Sequence, residues 1–255
     1  MLKIAKYILI DIVKSKVLIA YTLLLALIST AIFMADSDPV KGLVSLTTLV
    51  LIIVPLVSIV YATTYYFNAS EFAELLVSQP LNRKNIILGQ FLGISTAILG
   101  SFIIGICIPA FLFAFGSTAI TLVISGSLLS LSFVSLAFYA STKTRDKAKG
   151  IGLALMIWFY CSIIFDALVL LFLFTFADYP LEKAMIGLTA FNPIDLARIL
   201  ILLQLDISAL MGYTGALYRD FFGSGTGMAF SIGMQLLWAL IPVCLAVKSF
   251  ARKDL

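Results

Sequence analysis

Long apolar runs separated by short polar segments dominate the chain. Six of these runs are long enough to form membrane-spanning helices, which require about 20 mainly apolar residues. They cover approximately residues 17–35, 43–67, 86–115, 118–142, 150–176 and 227–247. The pattern predicts an all-α integral membrane protein, in which residues 1–255 form a single transmembrane domain with six spans.

The first 16 residues follow an amphipathic pattern instead. On a helical wheel, the charged face comprises Lys3, Lys6, Asp11 and Lys14, whereas Leu2, Ile8, Leu9, Ile12 and Val13 crowd the other faces. No small-residue cleavage site follows, so we interpret the segment as retained. Residues 1–16 are therefore predicted to form an interfacial helix lying along the membrane surface.

Composition and charge agree with a membrane protein. The chain is 62% hydrophobic and 12% charged, with a mean hydropathy of +1.13, which excludes an ordinary soluble domain. Thirteen of its seventeen basic residues fall on one side if both termini are cytoplasmic. These are Lys3, Lys6, Lys14, Lys16, Arg83, Lys84, Lys143, Arg145, Lys147, Lys149, Lys248, Arg252 and Lys253. Because basic loops are retained in the cytoplasm, we expect both termini on the cytoplasmic side of the membrane.

Residues 177–225 form the one long connection, on the opposite, periplasmic side. Asn192 suits a helix N-cap, Pro193 the first helical position, and Asp195 the first turn, where the helix dipole favours negative charge. The apolar run that begins here is too short to span a membrane. We expect this helix to lie at the outer interface or to dip back into the membrane, with Asp195 and Arg198 paired at i,i+3.

A polar interruption at residues 68–85 separates the second and third spans. Glu71 and Glu74 lie at i,i+3, and neighbouring apolar residues could contact a partner groove. The pattern indicates a cytoplasmic coupling segment that contains a short helix. Its candidate residues are Glu71, Phe72, Glu74, Leu75, Leu76, Pro80 and Arg83. The alternative is a solvated loop helix with no partner.

Asp166 lies near the middle of the fifth span. A carboxylate at that depth costs at least about 2.5 kcal/mol, so such residues usually face a bundle interior and mark a pathway or a pairing. Asp166 is therefore either a gating or substrate-facing group, or a protonated carboxyl that fastens two helices by a hydrogen bond.

Metal binding and catalysis find little support in the sequence. The chain has no histidine, and Cys107, Cys161 and Cys244 lie alone in different predicted spans. Cys161 and Met156 could contribute soft ligands to a copper path, but packing residues are the simpler interpretation. We expect no metal site, no catalytic triad and no disulfide. There is also no GxxxxGK[ST] sequence, so any ATP hydrolysis belongs to another polypeptide.

Small residues recur at a spacing of four in the third span. Gly89 and Gly93 form one pair, and Ser101 and Gly105 form another. Serines are also frequent in the fourth span. Such residues allow close approach of helices in lipid, either within one subunit or at a dimer seam. The serines could alternatively line a polar conduit.

Residues 70–90, SEFAELLVSQPLNRKNIILGQ, resemble the segment between the second and third spans of ABC-2 type permeases. The matching positions are Glu71, Glu74, Pro80, Arg83, Ile87, Leu88 and Gly89; Phe72, Ala73 and Gln90 depart from the pattern. The resemblance implies a homodimer that binds two copies of a separate cytoplasmic ATPase. ATP and Mg²⁺ would be used by that partner, and this chain would bind no cofactor.

A narrower resemblance covers residues 147–171 and 191–199. They are similar to the NosY group, the permease subunits of nitrous-oxide reductase maturation transporters, at Trp158, Phe159, Asp166, Asn192, Pro193, Asp195 and Arg198. The resemblance implies a role in denitrification, namely assembly of the copper–sulfur centre of the reductase. It also implies a location in a bacterial inner membrane and a periplasmic β-helical partner, bound through Asn192, Pro193, Asp195 and Arg198.

Other functions remain open at this point. An exporter of lipid, polysaccharide or drug would share the ATPase but lack the periplasmic protein. A proton-coupled secondary transporter would work through Asp166 without an ATPase. A mechanical anchor would transmit ATPase motion without passing a solute. We expect membrane lipid, and no nucleic acid, around this chain.

Overall fold

A computed structural model describes residues 1–35, 38–78, 82–176, 182–204 and 225–251, and all regular secondary structure in these ranges is helical. We number the helices α1 to α10. They are α1 Leu2–Val13, α2 Lys16–Ala35, α3 Pro39–Asn68, α4 Ser70–Val77, α5 Arg83–Phe113, α6 Ser117–Lys143, α7 Lys147–Thr175, α8 Glu182–Thr189, α9 Pro193–Gln204 and α10 Gly225–Ala251. Short π-helical turns interrupt α5 at Ile103–Cys107 and α7 at Tyr160–Ile164.

Six of these helices are long and apolar enough to cross a membrane: α2, α3, α5, α6, α7 and α10. The predicted all-α membrane architecture is thus confirmed. Helices α3, α5 and α7 begin three or four residues before their predicted apolar runs, and each has a polar N-cap residue. The Asp38 carboxylate accepts a hydrogen bond from the Val40 N–H, and the Asp146 carboxylate accepts one from Ala148.

The spanning helices alternate in direction, which gives the bundle two distinct ends. We call one the basic end; it holds α1, α4 and the loop between α6 and α7, with Lys16, Arg83 and Lys143 at helix termini. The other is the hairpin end, where α8 and α9 connect α7 to α10.

Helix α6 lies at the centre of the bundle and packs against α3, α9 and α10. Gly126 of α6 also allows α5 to approach closely, because a Cβ atom there would clash with the Phe102 ring of α5. The hydroxyl groups of Ser132 and Ser135 donate to the carbonyls of Gln235 and Ala239 in α10. These two serines of the fourth span therefore join helices within one subunit.

The small residues of α5 also make contacts within the chain. A Cβ atom on Gly89 would lie 2.9 Å from Ile4, and one on Gly93 would lie 2.7 Å from Ile8, so α1 rests directly on the start of α5. Further along α5, the Gly105 carbonyl accepts a 2.7 Å hydrogen bond from the Ser29 hydroxyl of α2. Of the two alternatives for these glycines, contact within one subunit is the one observed.

Helix α1 forms over most of the predicted segment. Ile8 and Ile12 are buried against the bundle, whereas the lysines at positions 3, 6 and 14 are exposed. The amphipathic pattern is thus realised as a helix with one packed face. Its position along a membrane surface stays a prediction.

Candidate functional sites

At the hairpin end, the chain turns back into the bundle. The Trp238 indole N–H donates a 2.9 Å hydrogen bond to the Ala190 carbonyl, in the turn between α8 and α9. Trp238 lies at the midpoint of α10, and Cys161, which contacts the same turn, lies at the midpoint of α7. At the other end of α9, the Gln204 carbonyl accepts from Thr118, in the first turn of α6. Helix α9 therefore runs from mid-bundle to the hairpin end, which is the packing expected of a helix that dips back into the membrane; its depth in a bilayer stays a prediction.

Apolar burial holds this hairpin in place. Met185 of α8 and Ile199 of α9 pack together with side chains of α7, and both are almost completely buried. On its other sides α9 is covered by α3, α6 and α10, so that Ile194, Ala197 and Ile201 are no more than 1% exposed. With 12 residues, α9 is about 18 Å long and cannot cross a bilayer of about 30 Å, but it can enter one.

Asn192 fastens the tip of the hairpin. Its side-chain oxygen accepts a 3.0 Å hydrogen bond from the Ile194 N–H, so it caps α9 as the sequence predicts. Its amide nitrogen donates a 2.8 Å bond to the carbonyl of Cys161. Cys161 belongs to the π-helical turn of α7. Irregular turns of this kind alter the backbone bonding of a helix, and here the carbonyl is bound by a side chain from outside the helix.

Three charged side chains meet beside this tip. The Arg198 guanidinium lies 2.8 Å from an Asp166 oxygen through Nη2 and 3.0 Å from an Asp195 oxygen through Nη1. The side chains of Arg198 and Asp166 are 30% and 32% exposed, whereas that of Asp195 is only 9% exposed. We call these three residues the charge cluster. It joins the middle of α7 to the first turns of α9.

The charge cluster contains two carboxylates and one guanidinium. Burial raises the pKa of Asp195 to about 7; Arg198 opposes this rise, and the nearby Asp166 carboxylate adds to it. One proton shared with the carboxylates would leave the cluster electrically neutral. The arrangement can therefore hold either one negative charge or none, depending on pH.

The structure confirms the predicted Asp195–Arg198 pair and adds Asp166 to it. Asp166 was expected to face a pathway or to be a protonated fastener; it is bound to an arginine of a neighbouring helix, a partner that local spacing could not identify. The sequence does hold one signal for the pairing of Asp166 with Arg198: a single acid lies in a span, and a single arginine lies in a short apolar helix. The role of Asp166 stays a prediction.

The predicted partner-binding residues lie inside the described bundle. Asn192, Pro193 and Asp195 are buried by the chain's own helices. The hydrogen bonds and ion pair found for Asn192 and Asp195 are intramolecular, and the role of these residues in binding a periplasmic protein stays a prediction. Arg198 is half-buried and bound to both carboxylates.

At the basic end, α4 forms the predicted short helix between the second and third spans. Glu71 and Leu75 are exposed one turn apart, and Leu75 is 66% exposed. Ala73 is buried, and the Phe72 ring stacks on Tyr7 of α1 with 5.4 Å between ring centroids. Phe72 therefore contacts α1, while Glu71 and Leu75 face outward.

The structure describes some, but not all, of the remaining residues of the coupling segment. Leu76 is half-buried, and Arg83 begins α5, immediately after Asn82, whose side chain accepts from the Lys84 N–H. Pro80 and the side chain of Glu74 lie outside the described residues. The coupling role of the whole set stays a prediction.

A groove with a volume of about 940 Å³ lies beside α4, between α1 and α3. Its polar rim includes Asp11, Lys14 and Asn68, and its wall is formed by apolar and tyrosine side chains of α3. The Tyr65 hydroxyl donates a 2.9 Å hydrogen bond to the Asp11 carboxylate, and Lys147 of α7 donates a 2.7 Å bond to the Asn68 side chain. We call this feature the α1–α3 groove.

The described ranges contain no disulfide and no cluster of side chains suited to a metal ion. Cys107 and Cys161 are buried, Cys244 is exposed, and none forms a disulfide. No group of three or more His, Cys, Asp or Glu side chains in the described part of the chain could hold a metal ion. The expectation that this chain binds no metal stays a prediction.

Comparison with known proteins identifies the family. The model of the ABC-2 family transporter protein matches residues 2–255. A probable ABC transporter permease protein NosY from Pseudomonas aeruginosa is 27% identical over 282 residues, covering 99% of this chain and 98% of the relative. One of the same description from Stutzerimonas stutzeri is 31% identical over 219 residues, covering 80% of this chain and 71% of the relative. With six spans, a short helix between the second and third, and a match over nearly its whole length, this chain belongs to the ABC-2 family of transporter permeases.

Proposed function

We propose that this chain is the membrane-spanning permease subunit of an ATP-binding cassette transporter that serves assembly of the copper–sulfur centre of nitrous-oxide reductase. Family membership and the similarity to two NosY permeases support the transporter role. The structural observation that carries the proposal is α4, a short helix at the basic end that presents Glu71 and Leu75 outward.

ATPase coupling would act through α4 and then through α1. A cytoplasmic ATPase that binds the Glu71–Leu75 face would move α4, whose Phe72 ring is stacked on Tyr7. Helix α1 in turn rests on Gly89 and Gly93 of α5. Three consecutive contacts therefore link an ATPase at the basic end to a spanning helix. Two such chains, each with one ATPase, would form the working transporter.

At the hairpin end, the charge cluster would connect the helices that a periplasmic partner can influence. Arg198 ties α9 to α7, and Trp238 ties the hairpin tip to α10. A rigid hairpin of this kind can transmit motion between spans and the periplasmic surface. The basic end would then be cytoplasmic, as the distribution of lysine and arginine predicts.

Affinity purification of the tagged chain from gently solubilised native membranes tests this proposal. We expect mass spectrometry to find a stoichiometric ATPase together with a periplasmic protein. An ATPase alone would overturn the maturation role and favour an exporter of lipid, polysaccharide or drug. Absence of any ATPase, under conditions that preserve other complexes, would overturn coupling through α4 and favour a secondary transporter working through Asp166.

A surface variant makes the same experiment specific to α4. Leu75→Asp should reduce the recovered ATPase at least tenfold, because it places a charge in the proposed apolar contact. Leu2→Asp is the matched control, since Leu2 is equally apolar, lies at the same end and is 75% exposed. Equal loss of the ATPase in both variants would contradict a contact at α4.

Uptake or export of a labelled sulfur or copper species by membrane vesicles tests whether a solute crosses at all. We expect ATP-dependent movement that the Leu75→Asp variant abolishes. Reductase maturation without any such movement would favour the mechanical anchor.

A further inference from the structure

The α1–α3 groove combines a polar rim with an apolar wall of defined depth. Along α3 it extends from Asn68, at the basic end, to Leu56. Twelve residues of helix correspond to about 18 Å, slightly more than half of a hydrocarbon core of about 30 Å. Val57 and Val60 are half-buried along this wall, and Val17 of α2 is 62% exposed opposite them. The groove thus covers the depth of one membrane leaflet.

The rim of the groove carries an excess of positive charge. Lys14 lines it directly, and the Lys147 ammonium group is 2.7 Å from the side-chain oxygen of Asn68, another lining residue. The carboxylate of Asp11 is held by the Tyr65 hydroxyl on the α3 side. Two ammonium groups against one carboxylate leave a single positive charge, which one phosphodiester group would neutralise.

We propose that the α1–α3 groove binds one anionic phospholipid from the leaflet at the basic end. The phosphodiester would lie between Lys14 and Lys147, and an acyl chain would lie along Val57 and Val60. A volume of about 940 Å³ is within the range of pockets that enclose small organic ligands. Basic pockets between membrane helices are suited to anionic headgroups, because ammonium groups there interact with the phosphate in a partly dehydrated layer.

Such a lipid would also contact the two side chains that join α4 to α1. Tyr7 and Phe72, the stacked pair that joins these helices, both line the groove. A bound acyl chain would fill the space behind that stack and brace α4 against the bundle. The inference concerns a site of this chain alone, and it depends neither on the ATPase nor on the maturation role.

Native mass spectrometry of the purified full-length protein tests the proposal. The probes are 1-palmitoyl-2-oleoyl phosphatidylglycerol and the phosphatidylcholine with the same chains, added at equal concentration. We expect one phosphatidylglycerol bound per chain, with at least a fivefold preference over phosphatidylcholine. Equal retention of the two lipids would overturn the proposal.

Two variants locate the binding. Val60→Trp should reduce bound phosphatidylglycerol at least tenfold by filling the groove, whereas Val40→Trp, at an exposed position of the same helix, should leave it unchanged. The double variant Lys14→Ala with Lys147→Ala should abolish the preference for phosphatidylglycerol without altering packing, because both lysines are exposed. Lys149→Ala is its control. Unchanged binding in both groove variants would place the lipid elsewhere.

A second copy of this chain is the competing occupant. Val60→Cys in a Cys244→Ser background should remain uncrosslinked when membranes are oxidised, because lipid would separate the grooves. Efficient formation of a disulfide-linked dimer through position 60 would identify the groove as a subunit interface and overturn lipid binding.

Discussion

Asp195 in the hairpin and Asp11 at the basic end are both carboxylates that hold neighbouring helices, but their surroundings differ. The Asp195 side chain is only 9% exposed and is bound to a guanidinium group, with a second carboxylate beside it. Asp11 is exposed and is bound to the hydroxyl of Tyr65. The carboxylates of the charge cluster are therefore bound by an arginine of the same chain, whereas Asp11 at the basic end stays accessible to outside molecules.

Replacing Arg198, the cation bound by both carboxylates of the charge cluster, should have the largest effect on stability. Arg198→Met leaves two carboxylates in a largely buried site without a counter-ion, so we expect a loss of stability on the order of 3 kcal/mol. Thermal unfolding of the solubilised protein measures it. Lys149→Ala, an exposed cation at the basic end, should change stability by less than about 0.5 kcal/mol.

Removing both carboxylates together with Arg198 tests whether charge balance explains the loss of stability. Adding Asp166→Asn and Asp195→Asn to Arg198→Met should recover most of the lost stability, because no unpaired charge then remains. A triple variant as unstable as the single one would show that arginine packing, rather than charge balance, holds the hairpin.

The contact between α1 and the start of α5, at the basic end, should show the next largest effect on stability. Gly93→Ala places a methyl group 2.7 Å from Ile8, so overpacking should cost about 1–3 kcal/mol. Gly100→Ala on the same helix meets no atom within 4 Å and is the matched control. Similar unfolding temperatures for the two variants would contradict tight packing of α1 on α5.

The stability of the protein should depend on pH through the protonation of Asp195. Its pKa is higher in the folded protein, about 7 against an ordinary 3.8, so the folded state binds the proton more strongly. Stability is then greatest below pH 4 and falls as pH rises towards and through 7, by at most about 1.4 kcal/mol per pH unit.

Asp195→Asn should flatten this slope when thermal unfolding is compared between pH 5 and pH 8. The chain has no histidine, so histidine titration does not contribute over this range. A variant that keeps the slope of the original protein would assign the effect to another group.

The smallest expected effect concerns the contact between α1 and α4. A double-mutant cycle of Tyr7→Ala and Phe72→Ala should give a coupling free energy of about 0.5–1.5 kcal/mol, the usual range for a stacked aromatic pair. Thermal unfolding of the two single variants and the double variant supplies the cycle. Strict additivity would show that the two rings do not hold these helices together.

Features set by local sequence could be predicted well. The six spans follow from apolar length, and the cap at Asn192 and the pair of Asp195 with Arg198 lie within one turn of each other. The starts of α3 and α7 were placed a few residues late, because hydropathy does not detect the polar first turns that Asp38 and Asp146 cap.

Contacts between distant segments were the part that sequence could not supply. Asp166 and Arg198 are 2.8 Å apart, and the Tyr7 and Phe72 rings are stacked, yet no periodicity relates either pair. The packing partners of α9 are likewise absent from the sequence pattern, because a short apolar helix is compatible with an interface or with a re-entrant position. The structure supplies the contacts of α9 with α3, α6 and α10, and its depth in a membrane stays a prediction.

The hairpin also has a consequence for biogenesis. Its tip is held by Trp238, at the midpoint of α10, a helix that is synthesised after the hairpin, and α9 is covered on one side by that same helix. During translation, the segment with Asp195 and Arg198 therefore reaches its final packing only after α10 has been made. A nascent chain that ends before α10 would lack both the Trp238 hydrogen bond and this cover.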